Sequence, residues 1–560
     1  MNQNLRERIP RSNQRRWAGP ALLMACLLGT GTMAAPAAAE NEDGPVVVTG
    51  SGAVRGLEKD GVFQFRGIPF AAPPVGPLRW MPPQSPASWK SVRDGTKFGN
   101  ICLQVTTLGP FAGPANANED CLFLNVYTPD LHPDDDEKMP VLVWIHGGGN
   151  VDGGSTDYDG SKMATRGHVV VVTINYRLGL LGFMSHPALD AEGHVFSNYG
   201  ILDQQAALRW VQQNIDRFGG DSNNVTLGGQ SAGCVDTEAN LMSPLANGLF
   251  HRAILQSVVL EPVALTTAEA HGVAFAVAAS CGSGTDAATA ACMRALTAEQ
   301  IFTLSGTASA SAPYETQITQ DGTVLPQRFT TAIAAGNFNH MPVMSGWTED
   351  EQNFGLGITE YFSGPPRVPA SEASYDARIA AFGTNPAYPP GTEAQAAALY
   401  PLANYATPQL ALDAIGTDST ACAQRHTNRL LASQVPLYSY EFDDETAPSY
   451  FPVMPGFEPL AYHTSDIQYL FPLWHGGPDG IEHPLNNLQE RLSNELVTAW
   501  TNFARTGNPN GRGNSPWPRY GGDPDQAGVF SERIPKSTTY TDNELSERHN
   551  CAFWESISTY

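Results

Sequence analysis

Basic residues are scarce in this sequence. Its 560 residues include 32 Lys and Arg against 56 Asp and Glu, which gives a formal net charge of −24 at pH 7. Nucleic acids and anionic membrane surfaces attract basic protein surfaces, so this charge argues against both as partners. The simplest reason for the acidity is that it keeps a globular protein soluble.

Long hydrophobic runs are missing as well, apart from one short apolar stretch near the N-terminus. Five arginines in residues 1–16 precede WAGPALLMACLLG, and the small residues of APAAAEN follow it. This order is typical of a secretory signal peptide, with cleavage predicted after Ala39. The apolar stretch is too short for a transmembrane anchor. We therefore expect residues 1–39 to be a signal peptide and residues 40–560 to be one domain, exported to the periplasm or the medium.

Two variants of this signal remain open. Arg15 and Arg16 could belong to a twin-arginine signal, although the residues after them fit that pattern poorly. Cys26 ends the segment LMAC, which loosely resembles a lipoprotein site, although apolar residues continue beyond it.

Cysteines at metal-binding spacing are absent. The chain has no C-x-x-C pair and no Cys/His cluster with zinc spacing, so we expect neither a structural metal nor a cofactor. Of the eight cysteines, seven remain after removal of Cys26 with the signal peptide. An exported protein can form disulfides, and an odd number of cysteines leaves one thiol over.

From residue 140 onwards, apolar runs alternate with helical patterns. MPVLVWI and HVVVVTI are near-continuous apolar runs, which is typical of parallel strands covered on both faces. GILDQQAALRWVQQNIDRFGG then has apolar residues at helical spacing and ends in two glycines. Strand–helix alternation predicts an α/β fold with one large, mostly parallel, doubly wound sheet. We interpret residues 261–340 and 355–425 as mostly helical or irregular insertions over one face of this sheet.

The segment NVTLGGQSAGCVD contains the single G-x-S-x-G of the chain, residues 229–233. The pattern is weak alone in a sequence with 54 glycines, but its context is that of a nucleophile elbow. A short strand precedes Ser231 and a predicted helix follows it, while Gly229 and Gly233 are small enough for the sharp turn.

A second glycine motif, HGGGN, follows a predicted strand about 80 residues upstream. Glycines allow backbone N–H groups to approach a reacting carbonyl, as an oxyanion hole requires. An ordinary glycine turn is the alternative, but the pairing with the elbow at this distance favours an oxyanion hole, and the absence of a following G-K-[ST] argues against a phosphate loop.

These segments together resemble the type-B carboxylesterases, the cholinesterase-like branch of the α/β-hydrolases, and the chain looks like a secreted member of bacterial type. The resemblance extends over about residues 45–555. It rests on these ordered matches: FRGIPFAAPPVGPLRW, EDCLFLNVYTPD, HGGG, NYRLG, GILDQQAALRWV, GGQSAG, AYHTSDIQYLF and NFARTGNPN.

The resemblance implies a serine hydrolase. It places the nucleophile at Ser231, the oxyanion donors at the backbone N–H groups of Gly148, Gly149 and Ala232, and the catalytic base at His463 in AYHTSD. The other histidines after the predicted acid lie in no matching motif: His426, His475, His483 and His549.

The family's catalytic acid lies five residues after the glycine that ends a strand. Counting from Gly346 gives Glu351, whose neighbours Glu349 and Asp350 are also acidic, so an error in register is possible.

The resemblance also implies disulfides and ion pairs. Arg79 with Glu119, and Arg177 with Asp203, are the expected structural ion pairs. The implied disulfides are Cys102–Cys121, Cys281–Cys292 and Cys422–Cys551. Cys234 is then the odd thiol, and we expect it to pack as a small apolar residue in the helix behind Ser231.

Three positions depart from the family pattern. The loop of the first implied disulfide has no Trp, so a choline ester is not expected as substrate. Asn150 replaces a residue that is often aromatic, which suggests a more polar pocket. Gln230 stands where Glu is common, and we expect no effect of it on the chemistry.

The predicted function is hydrolysis of small uncharged or anionic carboxylic esters through an acyl-enzyme on Ser231, with the ester as the one expected partner. Two alternatives remain. One is a non-catalytic binding or adhesion module of the same fold. The other is the same triad acting on an amide, carbamate, lipid or polyester.

Overall fold

Apolar runs in the sequence become the buried centre of a large β-sheet in the computed structural model. The structure describes residues 44–106, 108, 111–134, 138–195, 197–257, 260–307, 318–471, 484–512, 514–521 and 528–558. The predicted signal peptide with its cleavage site lies outside these residues, as do His475 and His483. Residues 44–560 cluster as one compact unit.

Sixteen strands occur among the described residues. They are β1 (Val46–Val48), β2 (Ala53–Arg55), β3 (Leu57–Lys59), β4 (Val62–Pro69), β5 (Arg93–Asp94), β6 (Phe123–Thr128), β7 (Met139–Ile145), β8 (Val170–Ile174), β9 (Gly220–Gln230), β10 (Arg252–Gln256), β11 (Val263–Ala264), β12 (Thr319–Gln320), β13 (Val343–Thr348), β14 (Leu437–Phe442), β15 (Gly528–Glu532) and β16 (Thr538–Thr541).

Eleven of these strands form the main sheet, in the order β16-β15-β14-β13-β10-β9-β7-β8-β6-β4-β3. The neighbours from β8 to β15 pair in parallel, whereas the pairs at both margins are antiparallel. The strands β7, β8, β13 and β14 are buried along their whole length, and for β7 and β8 their near-continuous apolar sequences predict this. The sheet is therefore the large, mostly parallel one that the sequence predicts.

The helices are α1 (Ser161–Gly167), α2 (Gly179–Phe183), α3 (Pro187–Asp190), α4 (Tyr199–Asn214), α5 (Ala232–Met242), α6 (Leu265–Ala278), α7 (Ala287–Ala295), α8 (Ala298–Thr307), α9 (Phe329–Ala335), α10 (Asn353–Phe362), α11 (Glu372–Thr384), α12 (Thr392–Leu399), α13 (Pro408–Ala432), α14 (Ile467–Leu470), α15 (Asn487–Thr506), α16 (Asp542–Arg548) and α17 (Cys551–Ile557).

Helices cover both faces of the sheet, and two apolar cores fill the layers between them. The two regions interpreted as insertions contain α6 to α9 and α10 to α13. None of the described helices combines the length and apolar character that a membrane crossing needs.

Three disulfides tie peripheral segments to this core. Their pairs are the three that the family resemblance implies, Cys102–Cys121, Cys281–Cys292 and Cys422–Cys551, and the last joins α13 to α17 across 129 residues. Cys234 keeps its thiol and is buried in α5. Disulfides persist in oxidising compartments, so they indicate an exported protein.

The two expected ion pairs also form. Arg79 contacts both carboxylate oxygens of Glu119, and Arg177 contacts both of Asp203, at 2.5–2.8 Å. All four side chains are buried. Both pairs lie in the core, where they join separate segments of the chain.

Candidate active site

Ser231 lies in the sharp turn between β9 and α5. Its backbone has φ +59° and ψ −127°, a conformation that L-residues rarely adopt. The turn leaves no room for side chains around it. A Cβ atom on Gly229 would lie 2.3 Å from the carbonyl oxygen of Gly233, and one on Gly233 would lie 2.2 Å from that of Ile145. The two glycines therefore permit the strained turn that exposes the serine hydroxyl.

The glycine loop after β7 lies beside this turn. Gly148 and Gly149 have φ +109° and +63°, values open to glycine, and an ideal Cβ on Gly147 would touch Ser231 Cβ at 3.0 Å. Within the described part of the chain, the N–H groups of Gly148, Gly149 and Ala232 donate to no protein acceptor. Ala232 is the first residue of α5, where the helix dipole favours negative charge. These three donors are thus available to an anion beside Ser231.

His463 and Glu351 meet from two different loops. Glu351 follows β13, and His463 lies in the segment between β14 and α14. His463 Nδ1 forms a short hydrogen bond with Glu351 Oε2, and Glu351 Oε1 accepts a second hydrogen bond from the N–H of Thr348 at 2.9 Å. Both side chains are buried. The carboxylate therefore fixes the proton of the imidazole on Nδ1 and leaves Nε2 as the basic atom.

The two groups shift each other's acidity. Burial alone would lower the pKa of His463, but the charge and hydrogen bond of Glu351 outweigh it, so the pKa is raised above 6.5. Burial alone would raise the pKa of Glu351, but the charge and hydrogen bond of His463 outweigh it and lower the pKa. Glu351 is thus ionised at neutral pH, and its charge stabilises the protonated form of His463.

The neighbouring acids are directed elsewhere. Glu349 forms an ion pair with Arg548, and Asp350 accepts a hydrogen bond from the N–H of Ala461 at 2.9 Å. The structure thus brings Glu351, and neither of its acidic neighbours, to His463. Of the remaining histidines, His549 lies between Asp418 and Glu441, and His426 lies on α13.

Ser231 and His463 line one narrow pocket with a cavity volume of about 40 Å³. Its walls include the aromatic side chains of Phe111, Tyr158 and Phe354, and the Phe354 ring lies 5.6 Å from the imidazole of His463. Phe111 lies in the loop of the first disulfide, and Phe354 lies on α10. Sequence reasoning missed both, because only the packing of distant segments brings them to the pocket.

Asp157 is a further residue that sequence reasoning missed. Its half-buried side chain lines the same pocket as Ser231. The position follows the glycine loop in the chain, and the sequence STDYDG around it has no feature that distinguishes it from a surface turn. The pocket therefore contains an acidic group.

Gln230 contacts the imidazole directly, a contact that the sequence did not indicate. Its Nε2 lies 3.2 Å from His463 Nε2, and the side chain is buried in the pocket wall. With the imidazole proton on Nδ1, the Gln230 amide donates to Nε2. The Gln230 amide thus contacts the basic atom of the imidazole.

Asn150 does not line the pocket, so the expectation that it makes the pocket more polar is wrong. Its side chain is 8% exposed and donates to Asp236 at 3.0 Å. The residue has φ +60°, a conformation that Asn tolerates better than aromatic residues do. The left-handed turn directs the side chain into the protein.

The arrangement supports acyl transfer. A hydroxyl on a strained turn, an oriented imidazole and N–H donors from two segments lie at the carboxyl ends of parallel strands, where α/β sheets bind ligands. A carbonyl carbon attacked by the hydroxyl would develop its negative charge at the donors.

Comparisons with known proteins show similarity over most of the chain. The sequence model of the Carboxylesterase family matches residues 43–554. The chain is 34% identical over 531 residues to the medium-chain fatty acyl-CoA hydrolase precursor of Anas platyrhynchos, covering 89% of this chain and 91% of that protein. It is also 34% identical to carboxylesterase 1E of Mus musculus, covering 92% and 93% of the two chains.

A solved structure is similar over the same length. The structure of a PNB esterase superposes with a TM-score of 0.72 at 30% sequence identity, covering 90% of this chain and 99% of that one.

Proposed function

This chain belongs to the carboxylesterase family and is a carboxylic ester hydrolase of the α/β-hydrolase fold, and on this premise we propose that its catalytic triad is Ser231, His463 and Glu351. The observation that carries the proposal is the buried Glu351–His463 pair in the pocket that contains the strained serine. The non-catalytic alternative is set aside, because the relatives are hydrolases.

The first half of the reaction is attack by the serine. His463 Nε2 gives up its contact with Gln230 and takes the proton of the Ser231 hydroxyl as the oxygen attacks the ester carbonyl. The N–H groups of Gly148, Gly149 and Ala232 hold the oxyanion, and Glu351 stabilises the imidazolium. His463 then gives its proton to the leaving alcohol, and the acyl group stays on Ser231.

The second half is hydrolysis of the acyl-enzyme. His463 takes a proton from water as the water attacks the acyl carbonyl, and the same three N–H groups hold the second oxyanion. His463 returns the proton to the Ser231 oxygen, which releases the carboxylic acid and restores the enzyme.

The substrates that fit this pocket best are small and uncharged. The small volume of the pocket favours short substituents on the ester, and its aromatic walls favour apolar substituents. Of the uncharged and anionic esters expected from the sequence, Asp157 disfavours the anionic ones, because it places a carboxylate in the pocket of a protein of net charge −24.

We expect a neutral ester, p-nitrophenyl acetate, to have a higher kcat/KM than the anionic mono-p-nitrophenyl succinate. In Asp157→Asn the ratio of the two values should fall by about 10-fold, since roughly 1.4 kcal/mol of repulsion is removed. Asp376→Asn removes an exposed acid on α11 and should leave the ratio unchanged. A wild-type preference for the anionic ester, unaltered in Asp157→Asn, would contradict this substrate class.

Replacement of Gln230 by glutamate is expected to move the acid limb of kcat/KM to higher pH by about one unit or more. A carboxylate at 3.2 Å from Nε2 would stabilise the imidazolium, and His463 must be neutral to accept the serine proton. A pH–rate profile against Gln300→Glu, an exposed change of equal charge, checks this. An acid limb that stays in place would show that Gln230 is not against His463 in solution.

The location of the mature enzyme is proposed from the sequence. Cleavage near Ala39 would release residues 40–560 as a single catalytic domain into the periplasm or the medium. The three disulfides are compatible with either compartment.

A further inference from the structure

Asn150 connects the glycine loop to the helix that begins behind the nucleophile. Its backbone oxygen accepts from the N–H of Gly179 at 2.6 Å, while its side-chain Nδ2 donates to Asp236 Oδ1 at 3.0 Å. Asp236 lies on α5, five residues after Ser231. The side chain therefore joins two segments that each contribute donors to the proposed oxyanion hole.

Both ends of this contact are fixed by further hydrogen bonds. The Tyr176 hydroxyl lies 3.0 Å from Asn150 Oδ1 and 3.0 Å from the carbonyl oxygen of His146, the residue that begins the loop. On the other side, Gln204 Nε2 donates to Asp236 Oδ2 at 2.5 Å. Burial raises the pKa of Asp236 to about 7, so the carboxylate depends on these donors for its charge. These hydrogen bonds link the glycine loop, Tyr176, α4 and α5 in one buried network, which restrains the relative position of its members.

The glycine loop needs such a restraint. Gly148 and Gly149 have no side chains to restrict their backbone conformation. The internal hydrogen bonds of the loop are donated by the N–H groups of Val151 and Asp152 to the carbonyl oxygen of Gly148. Those bonds shape the loop but do not attach it to α5. An oxyanion hole must hold its donors within about 0.5 Å of their working positions.

We propose that the Asn150–Asp236 hydrogen bond fixes the glycine loop against the nucleophile helix and so sets the distance between the two halves of the oxyanion hole. Asn150 and Asp236 are positioning residues, since neither touches the substrate. The inference rests on the proposed function, in which Gly148 and Gly149 act together with Ala232.

The test breaks the contact from each end. Asn150→Ala removes the donor, and Asp236→Leu removes the acceptor with a side chain of similar size. The second variant is needed because Asn150 has φ +60°, so alanine there adds backbone strain of its own. Asp236→Asn keeps an acceptor oxygen for Asn150 and serves as the conservative variant. Asn339→Ala is the matched control, because the Asn339 amide bonds to carbonyl oxygens at the far end of α5.

We expect Asn150→Ala and Asp236→Leu to lower kcat for p-nitrophenyl acetate by about 10- to 100-fold with KM little changed. Affinity for an aryl trifluoromethyl ketone, which forms a tetrahedral adduct, should fall by the same factor. The kcat of the double variant should be no lower than that of the less active single variant. The kcat of Asp236→Asn should be close to that of wild type. Asn339→Ala should lower thermal stability without lowering kcat.

Three results would overturn the inference: kcat within about two-fold of wild type in both single variants, additive losses in the double variant, or an equal fall of kcat in Asn339→Ala. If Asp236→Leu does not fold, Asn150→Ala and Asn150→Gly decide the matter, since glycine removes the side chain without strain. Activity that persists in Ser231→Ala would instead contradict the proposed function itself.

Discussion

Ser231→Ala is expected to lower kcat for p-nitrophenyl acetate by about 10⁵- to 10⁶-fold, because no other group can form the acyl-enzyme. The remaining rate should still exceed that of water, since the N–H donors of the loop and of α5 stay in place. Thermal stability should change little or rise, because the replacement removes only a hydroxyl from a strained turn. Initial rates on purified protein at substrate concentrations well below and above KM measure the loss.

The matched control for this variant is Ser243→Ala. Ser243 is also buried and follows the same helix, where its Oγ accepts a hydrogen bond from Gln205 at 3.1 Å. We expect it to lose stability and keep its kcat within a few-fold of wild type. Equal activity of wild type and Ser231→Ala would contradict the assignment of the nucleophile.

Glu351→Gln is expected to lower kcat by about 10⁴-fold. A glutamine can no longer hold the Nδ1 proton of His463 by charge, and it no longer stabilises the imidazolium that forms in the transition state. Because Glu351 contributes most of the effect that raises the pKa of His463 against burial, with a smaller contribution from Asp466, the residual activity should also have its acid limb at lower pH than wild type. A pH–rate profile of the variant measures both effects.

Glu349→Gln and Asp350→Asn are the controls for that prediction. Their side chains contact Arg548 and the N–H of Ala461 rather than His463. Both variants should keep kcat within about 10-fold of wild type, whatever they do to stability. If Glu349→Gln were the most damaging of the three, the acid would be Glu349, and the register assigned to the loop after β13 would be wrong.

The framework of the sheet could be predicted because it depends on local patterns. Continuous apolar runs such as those of β7 and β8 have few alternatives to a buried parallel strand. The strand before the nucleophile is longer than its apolar core suggests, since β9 begins at Gly220 and includes the polar residues before Val225. Pairing with β7 extends the strand there, and no sequence pattern records such pairing.

Within the site, Ser231, the proposed nucleophile, was the residue that the sequence indicated most directly. Gly229 and Gly233 mark a turn that no larger residue could occupy, and a glycine loop follows an upstream strand. The proposed acid was harder to identify from the sequence, because Glu349, Asp350 and Glu351 follow one another and only their contacts in the structure distinguish them. Glu351 and His463 are 112 residues apart, so local sequence patterns contain no information on their meeting.

The side chains that surround the triad could not be predicted. Whether Asn150 lines the pocket depends on a left-handed turn and on a buried acid in another helix. Whether Gln230 reaches the imidazole depends on the path of a loop more than 200 residues away in the chain. Both are consequences of tertiary packing, which residue type alone does not indicate.

The central claim is that Ser231 becomes acylated. Fluorophosphonates react with activated serine hydroxyls, so the enzyme should be labelled in a one-to-one ratio at neutral pH, with loss of activity in proportion to labelling. Mass spectrometry of the digested protein should place the adduct on Ser231 in the peptide that contains GGQSAG, and Ser231→Ala should remain unlabelled. An adduct on any other residue, or full activity in the labelled protein, would contradict the account.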